Sequence, residues 1–304
     1  MMLEFLKHPV QRLTIQQISM NYLLDCQIHS TGAIDFSLRV IYRMKTICLS
    51  ALLYTLKDQP VAENLYLNIF NIWLSKVIEN AELNSNDALH IFIDSRTAHH
   101  INNTPNVLPI LLSKLKCPVA FFDVPSPTTP LEGMMERYKM TNYSQDVYIY
   151  TDIDILILKP LSELAAATTE DKIYAAVEGT LEDPNYGAAM KQPIPVCTPP
   201  IPGFSSGKFI ITSKVLHNNF CNDIRGICDS SEYYTLDQPF FNKVIHSYHG
   251  NNKDFQLLTR YVSVNGHNYD KFTILLDGMG NVGNGSIHYK KMTDLLCLIS
   301  AGVF

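Results

Sequence analysis

The 304-residue sequence predicts an α/β fold built on one mostly parallel sheet, and three observations carry that expectation. Apolar, strand-like runs alternate with stretches of helical spacing between residues 46 and 122, the rhythm that parallel sheets with right-handed crossovers produce. A hydrophobic content of 46% is enough to bury a sizeable core in one large domain, or in one domain with an appendage. The third observation is the run Asp146 to Leu161, where an apolar segment enters Asp152-Ile153-Asp154 and a second apolar segment leaves it before Pro160 stops the pattern.

Residues 1–42 mix helical spacing with strand-like pieces and carry no nameable chemistry. They are expected to form an N-terminal extension packed on a main domain spanning 43–304. In that domain Thr46 to Tyr54 reads as a first buried strand, broken by Lys57 to Pro60. Val61 to Glu79 follows as a helix whose buried face is Leu65, Ile69, Ile72, Trp73, Val77 and Ile78. Leu89 to Ile93 is a second strand ending in Asp94-Ser95, Val107 to Leu115 a helix, and Val119 to Phe122 a third strand ending in Asp123. Ligands of such sheets sit beyond the carboxyl ends of the strands. That rule sets Tyr54, Thr55, Asp94, Ser95 and Asp123 along one rim, beside Asp152 and Asp154. Singly, each is an ordinary loop-solvating side chain. Together they suggest a nucleoside pocket, with acceptors for ribose hydroxyls and an aromatic face for a base.

In extended backbone, residues two apart point the same way, so the carboxylates of Asp152 and Asp154 can face one small volume. Burying two charges costs about several kcal/mol apiece without a partner, and no Lys or Arg lies between Val147 and Leu158 to supply one. A Mg²⁺ or Mn²⁺ completed by substrate phosphates and water would do so. The plainer alternative is that one Asp caps the following turn while the other is solvated. An EF-hand is excluded because Leu156 and Ile157 stand where oxygen ligands belong, and a haloacid-dehalogenase-type phosphatase usually has a threonine where this chain has Ile155-Leu156.

The run Tyr150 to Leu164 resembles the Asp-x-Asp segment of GT-A-fold glycosyltransferases, especially the family-eight type that includes glycogenin and lipopolysaccharide galactosyltransferases. That resemblance implies a Rossmann-like nucleotide-sugar half (43–160) fused to an acceptor and catalytic half (161–304) around one mostly parallel central sheet. It also implies a UDP-sugar donor, a hydroxyl acceptor on a glycan, lipid or protein, and retention at the anomeric carbon. Further motifs occur in the family's order. Glu132 to Asn142 reads as a helix, and its Arg137 falls where similar enzymes place an arginine that reaches the donor; a guanidinium suits diphosphate or sugar hydroxyls. Ile173 to Val177 is a strand leading to Glu178, a candidate acceptor for donor-sugar hydroxyls. Lys191 to Gly203 carries five prolines and reads as an acceptor-side loop. Phe204-Ser205-Ser206-Gly207 resembles the family's Asn-Ser-Gly strand, with Ser205 in place of the asparagine and Gly207 allowing close approach of backbone to sugar.

Leu236-Asp237-Gln238-Pro239-Phe240-Phe241-Asn242 matches the Asp-Gln-x-x-x-Asn helix start of the family. The likeness gives Gln238 the β-face of the donor sugar, stabilising a developing oxocarbenium ion, and gives Asp237 the orientation of hydroxyls. From residues alone, Asp237 is simply a good N-cap. Gly278-Met279-Gly280-Asn281-Val282-Gly283 is a decoy as a dinucleotide fingerprint, since no amphipathic helix follows. By resemblance His288 is the third metal ligand and Lys291 a diphosphate contact, although the family's Gly-x-x-Lys-Pro continuation is missing.

Composition narrows the rest. A net charge of −5 offers no basic footprint for nucleic acid, no apolar run reaches membrane-spanning length, and seven scattered cysteines without a Cys-x-x-Cys fit a reducing, cytoplasmic compartment. The expectation is therefore a cytoplasmic, Mn²⁺- or Mg²⁺-dependent glycosyltransferase. A catalytically silent nucleotide-sugar binder and a metal-dependent phosphatase are its rivals.

Overall fold

A computed structural model describes residues 21–28, 34–41, 44–105, 107–189, 199–229, 236–248, 252–264 and 268–277, and positions 290, 293, 294, 296, 297, 300 and 301. Residues up to Met44 form a compact unit of their own. Its described backbone is a two-stranded antiparallel hairpin, β1 (Asn21–Ile28) against β2 (Ile34–Ile41), in register from Asn21↔Ile41 to Ile28↔Ile34. The side chains of 1–43 lie outside the described residues, and with them the expected packing of this extension.

The second unit, Lys45–Phe304, holds the main domain. In chain order it begins with β3 (Ile47–Leu53), α1 (Tyr66–Asn80), β4 (Ala88–Asp94), α2 (Ser95–Asn103), α3 (Leu108–Leu112), β5 (Val119–Val124) and α4 (Pro130–Met135). It continues with β6 (Val147–Thr151), β7 (Ile155–Ile157), α5 (Leu161–Ala167), β8 (Ile173–Thr180), α6 (Pro184–Gly187) and β9 (Pro202–Ile211). Next come α7 (Lys214–Asp229), α8 (Gln238–Ser247), β10 (Lys253–Asp254), α9 (Gln256–Tyr261), β11 (Val262–Val264) and β12 (Leu275–Asp277). Seven strands make the large sheet in the order β10-β8-β9-β6-β3-β4-β5. Only β9 opposes its neighbours, being antiparallel to both β6 and β8. The mostly parallel sheet expected from the sequence is thus present.

Why these runs are uninterrupted in apolar residues is plain from the packing: a parallel sheet covered on both faces needs apolar side chains pointing both ways. Every residue of β3, β4 and β6 is buried. Ile47, Leu49, Ala51 and Leu53 join one core with Ile69, Phe70, Trp73, Leu74 and Val77 of α1. Cys48 and Leu52, one step out of phase, join the other with Phe220 of α7 and Phe240, Phe241 and Val244 of α8. The expected helix 61–79 is split, a 3-10 turn at Val61–Glu63 preceding α1. The expected helix 132–142 is shorter still: α4 ends at Met135 and a 3-10 turn, Glu136–Tyr138, follows.

One feature of the sheet topology matters most for the site. The Asp146–Leu161 run is two strands in two different sheets: β6 lies in the large sheet, while β7 pairs antiparallel with β12 in a three-stranded sheet ordered β11-β12-β7. Asp152, Ile153 and Asp154 form the turn between them, closed by Ile155 N donating to Asp152 O at 3.2 Å. The extended geometry expected of this pair is therefore replaced by a turn, because the chain changes sheet there.

Candidate active site

Asp152 stands at the carboxyl end of β6, held by partners on three sides. Its amide donates to Gly207 O at 2.7 Å. Tyr150 Oη donates to its Oδ1 at 2.8 Å, and Arg137 Nη1 lies 3.2 Å from the same oxygen. About a third of its side chain (34%) stays open to solvent. Any side chain at Gly207 would displace this carboxylate: a Cβ there would sit 2.6 Å from Asp152 Oδ2. The glycine expected to admit a sugar thus first makes room for this carboxylate. Asp154 is half-buried in the same turn. Burial, then the neighbouring Asp152 and Asp277, push its carboxyl well above the usual range. Burial likewise raises Asp152, against the opposing pull of Arg137.

Arg137 joins this turn to the start of α8. Its side chain is buried, with Nη1 donating to Ser206 O at 2.9 Å and Nε donating to Met134 O at 3.1 Å. Nε is also 3.6 Å from Asp237 Oδ2, and the guanidinium stacks 4.9 Å from the Tyr150 ring centre. Burial works against its charge, but Asp152 and Asp237 outweigh it and raise its pKa further. Asp237 does not cap its helix through its side chain; it has helical φ and ψ of its own, and its carboxylate instead accepts from Tyr138 Oη at 2.6 Å. Gln238 accepts from Ser206 N at 3.2 Å and donates to Asn185 O at 3.3 Å. The matching Asn242 fastens α8 to the sheet, accepting from Phe204 N at 2.7 Å and donating to Phe204 O at 2.8 Å. Ser205 and Ser206 are buried, with Ser205 Oγ accepting from Gly207 N at 3.3 Å.

A second cation stands opposite Arg137. Lys208, on β9, is wholly buried, its Nζ 2.5 Å from Asp277 Oδ2 and 3.5 Å from Glu178 Oε2. These carboxylates outweigh burial and keep it charged. Glu178 is where the sequence put it, half-buried at the end of β8, but its nearest charged partner is this lysine. Lys208 and Asp277 were not anticipated as site residues, although both leave a signal. A lysine directly before the apolar run Phe209-Ile210-Ile211 stands out in a strand, and Asp277 closes Ile274-Leu275-Leu276 as Asp94 and Asp152 close theirs.

The upstream rim is only partly available to a ligand. Asp94 is fully buried and its carboxylate accepts from Thr55 N (2.9 Å), Arg96 N (3.1 Å), Thr97 N (3.3 Å), Ser126 Oγ (2.9 Å) and the Thr97 hydroxyl. Thr55 is buried too, its hydroxyl paired with those of Thr97 at 2.7 Å and with Asn64 Nδ2 at 2.8 Å. Both side chains, expected to face a nucleoside, are committed inside the protein because Asp94 caps α2, a helix absent from the sequence-based expectation. Tyr54 is half-buried, donating to Pro130 O at 3.2 Å, and Ser95 and Asp123 are exposed. His288 and Lys291 lie outside the described residues, as do the whole of the glycine-rich decoy and residues 191–198 of the proline-rich loop. Among the described residues no three His, Cys, Asp or Glu side chains form a ready-made metal cluster, and no helix is long and apolar enough to cross a membrane.

No family model and no curated protein sequence matches the chain. Solved structures do. The apo structure of the bifunctional glycosyltransferase WbbM aligns over 86% of this chain and 52% of its own, with a TM-score of 0.53 and 13% identity. This chain therefore spans about half the length of that protein. The apo form of mouse xyloside xylosyltransferase 1 aligns over 77% of this chain and 97% of its own, with a TM-score of 0.49 and 12% identity. At the identity of the WbbM match it is the fold that is shared: the chain has the mixed α/β architecture of a GT-A glycosyltransferase, centred on a large and mostly parallel sheet.

Proposed function

We propose that the protein is a glycosyltransferase of the family-eight type, moving a hexose or related sugar from a UDP-sugar to a hydroxyl acceptor with retention. The observation that carries the reading is the meeting of Asp152 and Asp237 on one buried guanidinium, that of Arg137. Two motifs far apart in sequence, the Asp-x-Asp turn and the Asp-Gln helix start, thereby share one site.

The residues present suit a divalent cation. Asp154 and the open side of Asp152 are oxygen donors of the kind Mn²⁺ and Mg²⁺ prefer, and burial with the neighbouring Asp152 and Asp277 pushes the Asp154 carboxyl well above its ordinary range. Asp152 and Asp154 would hold the ion, with His288 as a third ligand. When bound, it supplies charge neutralisation that makes the nucleoside diphosphate a competent leaving group. Arg137 fixes Asp152 and adds permanent positive charge beneath the diphosphate side of the site. Gln238, tethered through Ser206 N and Asn185 O, presents an amide dipole on rigid backbone, the preorganisation that stabilises charge developing on a sugar ring. Asp237, anchored by Tyr138 and Arg137, sets the start of α8 and orients hydroxyls. Thr55 and Asp94 shape the nucleoside rim, leaving contact with the nucleoside to Tyr54. Because Arg137 and Tyr150 both occupy Asp152, it is poorly placed as the free nucleophile that a phosphatase would require.

A thermal-shift panel of UDP, GDP and their sugars, with and without Mn²⁺, tests this. Mn²⁺-dependent stabilisation by UDP is expected, followed by slow donor hydrolysis or transfer that Asp154→Asn abolishes. No stabilisation by any nucleotide would reject the proposal; binding without turnover would leave a silent binder.

A further inference from the structure

The Asp-x-Asp turn is bracketed by a strap. On one side Lys208 stands in register with Thr151, the residue before Asp152. On the other, Asp277 stands in register with Ile155, the residue after Asp154. The 2.5 Å contact between Lys208 Nζ and Asp277 Oδ2 closes the loop, joining the large sheet to the small one beside the same turn that joins them covalently. Glu178 of β8 reaches the same ammonium from a third strand. Among the described residues two buried cations thus divide four carboxylates around the turn, Arg137 meeting Asp152 and Asp237 while Lys208 meets Glu178 and Asp277.

We propose that Lys208 is a positioning residue for the metal: a resident counter-cation that takes Asp277 and Glu178 out of the metal's ligand set. This deepens the reading given above and rests on it. Carboxylates within reach of a divalent ion are its preferred ligands, so a site this acidic needs a device to stop the ion shifting toward Asp277 or a second ion entering. A fully buried ammonium in contact with both carboxylates is such a device, since it occupies their inner lone pairs and repels any cation that approaches them. A strap serving stability alone would need no charge here, because buried ion pairs are often replaceable by apolar residues of similar size. Lys208 supplies one from a fully buried position on β9.

Mn²⁺ binding, followed by electron paramagnetic resonance on the full chain, tests the inference without recourse to activity. The native protein is expected to bind one ion. Lys208→Gln should bind a second ion, or the first at least about tenfold more tightly, and Lys208→Arg should restore native behaviour. Asp277→Asn should change native Mn²⁺ affinity by less than about threefold, whereas Asp154→Asn should abolish binding. Should Lys208→Gln fail to fold, the Asp277→Asn result decides alone. Unchanged stoichiometry and affinity in folded Lys208→Gln, or loss of Mn²⁺ in Asp277→Asn, overturns the role of Lys208 while leaving the transferase proposal standing. A native protein that binds no divalent ion overturns both.

Discussion

Two buried acidic clusters lie at the carboxyl ends of this sheet, and they are built on opposite plans. At the end of β4, Asp94 meets only amide and hydroxyl donors: Thr55, Arg96, Thr97 and Ser126. At the end of β6, Asp152 and Asp154 meet like charges as well as two cations, Arg137 and, at longer range, Lys208. The first cluster is complete without a ligand. In the second, burial and like charges push the carboxyl groups toward protonation. Of two carboxylates with similar sequence signatures, one is a clamp and the other is the one proposed to hold an ion; the neighbours make the difference.

The contrast can be broken most violently at the clamp. Asp94→Ala strips a buried acceptor from five donors and should destabilise the fold by about 3–5 kcal/mol, measured by denaturant unfolding, while any nucleotide response persists in the fraction that stays folded. At the site the prediction reverses. Asp154→Asn should lower donor turnover at least about 100-fold yet leave thermal stability unchanged or improved, since a neutral isostere relieves the repulsion from Asp152 and Asp277. A fall in stability comparable to that of the clamp variant would erase the distinction. Gly207→Ala brings a methyl group against Asp152 Oδ2 and should weaken Mn²⁺-dependent UDP binding by about tenfold, as read by calorimetry.

The smallest effect concerns pH. His217 is buried among the Tyr143 and Tyr148 rings, neither ring nitrogen hydrogen-bonded among the described residues, and burial lowers its pKa to about 3. The unfolded chain takes up this proton near pH 6.5 while the folded chain refuses it, so stability falls as pH drops from about 6.5 toward 3. Cys48 and Cys221 near Tyr143 and Lys214 over its ring complete the titratable surroundings. Asp152 and Asp154, with raised pKa values, act in the opposite sense. His217→Phe should therefore flatten the acid limb of a melting-temperature profile by up to about 1.4 kcal/mol per pH unit relative to the native protein; an unaltered limb would show that His217 is protonated in the fold.

Legibility followed the range of the interactions involved. β3, β4 and β6 could be read because a strand buried on both faces announces itself in consecutive residues. The Asp-x-Asp turn could be located, but not its geometry: nothing in Ile153 or Ile155 says that the chain leaves one sheet for another. Asp237 looked like a helix cap, which is the local answer, and became a partner of Tyr138 instead. Arg137 was picked out by resemblance, while its simultaneous contacts with Asp152 and Asp237 required the fold.

The sequence by itself determined the α/β class, the strand–helix order and the candidate turn, because hydrophobic periodicity and strand-ending acids are properties of neighbouring residues. Only the tertiary structure decided which charges meet. Lys208 finds Asp277 across 69 residues and Tyr138 finds Asp237 across 99. The physical reason is that a charge can be buried wherever an opposite one arrives, and arrival is set by the crossing of strands and helices, not by spacing along the chain.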